Sequence, residues 1–318
     1  MSDSMHLERV SSGEFAEIFP KGSSHMFNSV EFSELNAGKA DQLHYLLMGD
    51  TKWRMGIILG QRGGWLLSPF SAPFGGYLKN GNVSVEVVHA CVDLTKAYAQ
   101  QLGMKAELFL PPAIYDPELY AKTVNALMLK GEPLYTDISY HYDLRGLDPD
   151  SPEDSILSRM NATARKHFNR ASRLPFHTEL LGKSDADIER AYNVIAANRR
   201  WKGYPLRMTL DDVIGTAPIA DTECIVMSLD GEDVAAAIIY HVTPDIMQVV
   251  YWGDAPGHDK QYAMSRFTYD VFRQCYAFGA SVLDIGPSSE DGIPSIGLCA
   301  FKESIGCKPS IKPRFSLG

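Results

Sequence analysis

Apolar positions along the chain fall into strand-like runs and helix-like stripes, and the same succession of the two occurs twice. In the second half, CIVMSLDGEDVAAAIIYHVTPDIMQVVYWGD holds three apolar or β-branched runs separated by Asp230-Gly231 and Thr243-Pro244-Asp245. That pattern predicts an antiparallel meander. The polar loop APGHDKQYAM follows, and then SRFTYDVFRQCYAFG, where Phe267, Val271, Phe272, Cys275 and Tyr276 share one helical face. Gly279 stands where a left-handed helix cap is wanted, and the strand SVLDIG comes after it.

The first half reads the same way. LHYLLMGDTKWRMGIILGQRGGWLLSPF gives strands broken at Gly49-Asp50 and Arg62-Gly63-Gly64, followed by the loop SAPFGGYLKNGN. Val88, Cys91, Leu94, Thr95, Tyr98 and Leu102 then recur at helical spacing, with Gly103 past the end and the strand AELFLPP beyond. The turn aspartates Asp50 and Asp230 lie 180 residues apart and the capping glycines Gly103 and Gly279 lie 176 apart. A nearly constant offset across a whole unit predicts a duplicated domain. The tract HYDLRGLDPDSPEDS, rich in Asp, Pro and Ser, is the expected boundary, giving domains 1–148 and 149–318. The second unit is expected to open with a helix striped by Ile156, Met160, Ala164, Phe168 and Ala171. Another helix should start at Ser184, with Asp185 and Asp187 in its first turn.

Composition narrows the function classes. The chain has 318 residues, 45% hydrophobic and 22% charged, as in ordinary globular proteins, and its length suggests two domains. Its net charge of -9 gives no overall field drawing it to nucleic acid, so any polyanion must meet a local basic patch. No apolar window approaches the roughly 20 residues of a membrane span. The N-terminus mixes charges early without the apolar core of a secretory signal, so a cytoplasmic location is expected. Five scattered cysteines fit reduced thiols, and the nine histidines never fall into a ligand spacing, so no metal is expected.

Two transferase readings compete for the stretch 281–306. VLDIG resembles the glycine-bearing first strand of an S-adenosylmethionine methyltransferase, but that fold needs several further βα units and 34 residues follow Asp284. VLDIG is therefore expected to be a buried strand ending in a glycine turn. RKHFNRASR, the second meander and GLCAFKESIGCKP instead resemble the GNAT acyltransferases, and over the whole chain their tandem FemABX group of peptidoglycan-bridge and related acyltransferases. The last stretch is similar to the G-L-x-x-F-K-x-x-F-G segment of that group, with Ile305 in place of the usual aromatic, and SPFSAPFGGY is similar to its proline- and glycine-rich loop.

The resemblance implies an α/β (α+β) protein of two tandem GNAT-like domains, each a mixed, mostly antiparallel sheet flanked by helices, with the active cleft in the second. It implies transfer of an acyl or aminoacyl group from a thioester or an aminoacyl-tRNA to a small-molecule or peptide amine by direct attack. Between these, the acidic charge balance and the lack of a long helical arm favour acyl-CoA as donor. Such a site needs donors for the oxyanion and a path for the proton.

A buried lysine needs a partner, so Lys302 is expected either to pair with Asp284 or Glu303 or to face an anion. On this resemblance Tyr251 protonates the leaving group, Asp254 helps strip the amine, and Lys302 faces a donor phosphate or the oxyanion. Lys260, Gln261, Tyr262 and Ser265 occupy the phosphate loop ahead of a helix N-terminus. That loop departs from the Q/R-x-x-G-x-G/A form, since no close-approach glycine follows Gln261. His258, on the same loop, is a second candidate base. Arg165 and Arg170 belong to a basic run over 159–173 that is either a solvated face or a contact for phosphate or tRNA. Trp201 and Tyr204 sit on the acceptor side. No G-x-S-x-G elbow is present, which disfavours serine nucleophile chemistry. The rival reading is a non-catalytic binding protein that kept the fold after losing its loop glycines.

Overall fold

The computed structural model describes residues 4–318. Two compact units are present. One holds the chain up to Ile138 together with Ser289–Ile293 and Ser310–Gly318, and the other holds Ser139–Ser288 and Pro294–Pro309.

The elements that build unit 1 run β1 (His6–Val10), α1 (Ser12–Ile18), α2 (Val30–Leu35), β2 (Gln42–Gly49), β3 (Trp53–Arg62), β4 (Trp65–Ser68), β5 (Tyr77–Lys79), α3 (Val85–Gln101), β6 (Lys105–Phe109), α4 (Pro117–Lys130) and β7 (Glu132–Asp143). Those of unit 2 run α5 (Pro152–Arg159), α6 (Ala162–Ala171), β8 (His177–Leu180), α7 (Asp185–Lys202), α8 (Leu210–Ala220), β9 (Glu223–Leu229), β10 (Glu232–His241), β11 (Ile246–Asp254), α9 (Ala263–Ala277) and β12 (Val282–Pro287). After the short hairpin β13 (Ser289–Glu290) and β14 (Ile293–Pro294) come α10 (Ile296–Ser304) and β15 (Lys308–Leu317).

The local grammar explains most of these boundaries. Ser184 and Asp187 close a capping box on α7, and Thr209 and Asp212 do the same on α8. Gly103 and Gly279 take positive φ just past α3 and α9, and Asp230-Gly231 turn between β9 and β10 with φ of 52° and 86°. The stripe from Ile156 to Ala171 is buried at all five positions. Its helix, however, is two helices: Met160 turns to extended backbone, and Asn161 caps the new start by accepting the Ala164 N–H at 2.9 Å. A short side chain that can hold a backbone donor competes with helix continuation there.

In unit 1 the strand order is β1-β2-β3-β4-β6-β15, with β5 also on β3; in unit 2 it is β7-β12-β11-β10-β9-β8. Only β4–β6 and β11–β12 are parallel among the registered pairs within these units. Each unit is completed by a strand from a distant part of the chain: β15 pairs antiparallel with β6, and residues 139–143 of β7 pair with β12. The tract read as a polar linker thus begins as strand, because Tyr140 and Tyr142 are buried while the Asp-Pro-Ser turns come only after Asp143. The core of unit 1 lies between β2, β3, β6 and the helices α3 and α4, through Leu46, Ile57, Val88, Cys91, Leu108 and Leu127. No helix among the described residues is long and apolar enough to cross a membrane.

His25 in unit 1 is buried against Phe74 (centroids 4.9 Å apart), Tyr115 (5.9 Å) and Phe27 (6.2 Å). Burial lowers its pKa to about 4, opposed by a hydrogen bond with the Gly75 main chain. The unfolded chain, with a histidine near 6.5, takes up this proton first, so the stability involved is present above that value and is lost as pH falls towards 4. The full difference is about 3 kcal/mol. We expect His25→Leu to flatten the fall in urea midpoint between pH 7 and pH 4.5; an unchanged slope would exclude His25 as its source.

Candidate functional site

A parallel pair of strands normally zips along its shared length. In unit 2, β11 and β12 do so over only Ile246–Val282, Met247–Leu283 and Gln248–Asp284. Beyond Gln248, β11 runs on to Asp254 with no ladder partner in β12 among the described residues. At the same level β11 carries an extra residue, Val250, because Val249 pairs with Ile239 and Tyr251 with Ile238 of β10. A bulge of this kind bends a strand and re-aims its backbone groups. The result is a fork whose floor is the Gln248–Asp284 rung.

The free half of β11 is held from the side by the end of α7. Asn198 Nδ2 donates to the Asp254 main-chain oxygen at 2.6 Å and to its carboxylate at 3.1 Å, and Lys202 Nζ adds an ion pair to the same Oδ1 at 3.1 Å. Gly253 permits this approach: a Cβ there would sit 2.8 Å from Asn198 Cγ. Tyr251 lies partly buried on the free half. Its hydroxyl accepts the Met208 N–H at 3.3 Å and the Arg199 guanidinium stands 5.6 Å from its ring. Burial raises its pKa, so the phenol keeps its proton at neutral pH. Trp201, in the last turn of α7, and Tyr204, just past its end, are 52% and 55% exposed.

The floor is polar. Asp284, 1% exposed, accepts from Gln248 Nε2 at 2.8 Å and from the Gly286 N–H at 2.8 Å. Register puts Tyr240 of β10 beside Gln248 and His141 of β7 beside Asp284, so the four side chains form one row across four strands. Gln248 Oε1 and His141 Nδ1 are buried without a partner among the described residues. Burial lowers the His141 pKa, an effect opposed by the Asp284 carboxylate.

At the start of α9 the chain does something unusual for a phosphate loop. Tyr262 takes φ of 55° as the residue before the helix and makes no side-chain cap bond. Its ring stacks on His167 of α6 with centroids 4.2 Å apart and planes 16° apart, and Arg170 Nη1 donates to its hydroxyl at 3.1 Å. Arg170 therefore joins Tyr262, two residues from different expected sites. Arg165, Lys166, Asn169 and Arg170 of the same helix, with Arg173 just past its end, line an open depression of about 650 Å³. Lys260 is exposed on a short 3-10 turn, Ser265 lies in the first turn of α9, and the Oε1 of Gln261 is buried without a partner among the described residues.

Unit 1 carries the same fork in a filled form. β4 pairs with β6 along its whole length, and β5 then continues along β3 where the free half of β11 continues along β10. Residues 69–76 leave the sheet between them. Gly75 N–H bonds the Phe109 carbonyl at 2.9 Å and Gly76 N–H bonds Ser68 Oγ at 2.9 Å, so this loop returns onto the end of β6. A Cβ at Gly75 would meet Ser68 Oγ at 2.5 Å, and only glycine fits.

Among solved structures, FemX superposes with a TM-score of 0.69 at 11% identity, over 98% of this chain and 97% of its own. This chain has the FemABX-type tandem GNAT fold. A tandem GNAT protein from the clavulanic acid biosynthesis pathway matches over 98% of both chains with a TM-score of 0.54 at 7% identity. The C-terminal domain of an Agrobacterium fabrum protein assigned as a lysylphosphatidylglycerol synthetase matches at 0.60 and 13%, over 97% of this chain and 93% of that one. No protein-family model and no curated protein matches the sequence.

Within this tandem GNAT fold, Tyr251 and Asp254 share the free half of β11, while Lys302 of α10 approaches the end of β12. Sequence reasoning passed over the row at the floor. Gln248 in IMQVV and Asp284 in VLDIG are single polar residues inside apolar strands, a signal for a buried, partnered group, and His141 was hidden in the presumed linker. Asp221, Glu223 and His241 lie close enough to hold an ion, but Lys183 Nζ already binds Asp221 at 2.6 Å and Glu223 at 3.0 Å.

Because Asn198 fills the space over Gly253, Gly253→Ala should push the end of α7 off the free half of β11. We expect a loss of about 1–3 kcal/mol in a urea titration. A variant as stable as the parent would show that Asn198 moves aside without cost.

Proposed function

We propose that the protein is an N-acyltransferase that seats the carbonyl of an activated acyl or aminoacyl donor in the fork of unit 2 and passes it to an amine. The observation that carries this reading is the parting of β11 and β12 after their third rung, at the level of the Val250 bulge. A fork leaves strand-edge amides unpaired by β12, available to hold an extended donor and its developing oxyanion. In the reaction the amine nitrogen forms the new C–N bond, the C–S or C–O bond to the carrier breaks, and the amine proton ends on the departing thiolate or alkoxide. Tyr251, kept neutral by burial, has a proton to give that leaving group. Asp254 already accepts from Asn198 and Lys202, and we assign it to holding β11. Trp201 and Tyr204 are assigned to the acceptor.

For the donor we favour aminoacyl-tRNA over acyl-CoA. The start of α9 presents a tyrosine side chain where close main-chain approach to a pyrophosphate calls for glycine, while α6 beside it offers Arg165, Lys166, Arg170 and Arg173 in one depression. Side-chain cations of this kind suit a phosphate backbone. The name of the lysylphosphatidylglycerol synthetase domain, a protein of this fold, is in keeping with an aminoacyl donor.

The test is a comparison of ligands. Charged tRNA should be retained on a filter with an affinity that falls steeply with salt, and Arg165→Glu with Arg170→Glu should weaken it at least about tenfold. Millimolar acyl-CoA should leave the unfolding midpoint unmoved. A midpoint raised by acyl-CoA with no tRNA retention would move the donor to a thioester; no response to either would leave a binding protein without transferase chemistry.

A further inference from the structure

We infer that Lys302 is a positioning residue whose ammonium holds the end of β12 away from β11 and so keeps the fork of unit 2 open. Once β12 parts from β11 its backbone acceptors lose their ladder donors, and a buried carbonyl left unpaired is costly. Lys302 supplies the replacement: its Nζ donates to the carbonyls of Ile285, Gly286 and Pro287 at 3.0, 2.8 and 3.0 Å. The side chain is 2% exposed.

Three successive carbonyls in a regular strand point alternately to opposite edges and cannot meet one donor. Here they converge because Gly286 takes φ of 74°, at the point where the β12–β7 register slips between Asp284 and Gly286. A Cβ at Gly286 would meet nothing within 4 Å, so the backbone angle alone calls for glycine there. The Asp284 carboxylate fixes the same bend by taking the Gly286 N–H. An ammonium has three N–H groups, one for each carbonyl, whereas a guanidinium sends its donors out in a flat fork. The chemistry therefore selects lysine. With its three donors engaged on main-chain oxygens, Lys302 has to break one of these bonds before it can serve a phosphate or an oxyanion, the role its place in GLCAFKESIG suggests.

The crown of carbonyls is a monovalent-cation site already filled by the protein's own ammonium. Truncating the side chain should empty it for an added cation. The proposal rests on the transferase reading only for its effect on turnover; its structural arm needs no substrate.

The experiment takes the full chain as Lys302→Ala, Lys302→Met and Lys302→Arg, and follows amide hydrogen exchange over 246–254 and 282–288 with the unfolding midpoint. We expect exchange in both segments to rise about tenfold in the Ala and Met variants without ligand. Millimolar methylammonium should bring the Ala variant back towards the parent and leave the Met variant, whose side chain fills the site, unaffected. Arginine should not restore the parent. In turnover with charged tRNA or acyl-CoA, the donor KM should rise more than kcat falls. Parent-like exchange and midpoint in Ala and Met, with kcat reduced at constant KM, would overturn the inference and return Lys302 to direct chemistry. Should the Ala variant fail to fold, the Met variant decides by the same exchange. Should no donor be turned over, exchange and methylammonium rescue still decide.

Discussion

Three rungs of parallel ladder join β11 to β12, and the rest of unit 2 is arranged around the fact that there is no fourth among the described residues. An isolated strand edge is a liability in any sheet. Here both edges of the fork are secured by groups that are not strands. Asn198 and Lys202 hold β11 through Asp254, and Lys302 binds the last carbonyls of β12. The floor row from Tyr240 to His141 sits where zipping stops. Asp284 spans the change, with one oxygen towards Gln248 of β11 and the other on the backbone of the Gly286 bend.

The comparison between the copies shows what the opening requires. In unit 2 the strand facing the fork carries a single extra residue; in unit 1 the corresponding place is an excursion over 69–76, whose glycines bond the end of β6 and Ser68. The glycines of SAPFGGY therefore serve protein against protein in unit 1. In unit 2, where approach by a ligand would be useful, the loop has no glycine after Gln261, and Tyr262 bears the left-handed conformation itself. A non-glycine residue at positive φ is a local cost. It is offset by the stack on His167 and the bond from Arg170, which ties the start of α9 to the basic helix.

Much of this architecture could be read from the chain because it rests on short-range patterns. The meanders, the capping glycines of α3 and α9 and the capped start of α7 all follow from periodicity and turn chemistry within about ten residues. The duplication was legible because the two halves repeat those patterns at nearly constant offset, and the tandem GNAT fold was implied by the resemblance carried by RKHFNRASR, the second meander and GLCAFKESIGCKP. What lay beyond reach depends on partners far apart in sequence. β15 completes unit 1 and the end of β7 completes unit 2, and nothing local in KPSIKPRFSL or SYHYD names the strand it will meet. The break at Met160 was missed because the stripe stays in phase across it. Of the candidate site, the place of Tyr251 and Asp254 at the end of a strand was visible in sequence; the carbonyls that Lys302 binds were not, since three converging oxygens have no side-chain signature.

Net charge was the weakest guide. A total of -9 argues against nucleic acid only if the charge is spread evenly, and a field in physiological salt reaches about 8 Å before it is largely screened. A ligand meeting α6 feels Arg165, Lys166, Arg170 and Arg173 within one depression. α6 has no acidic residue in its first turn and Arg170 in its last, with Ala164, Phe168 and Ala171 buried on its other face. A helix that only needed solubility would mix signs along its outer face, since pairs of opposite charge stabilise it and like charges at this spacing do not. The cost of keeping that face cationic, beside the start of α9, supports the proposed donor contact there.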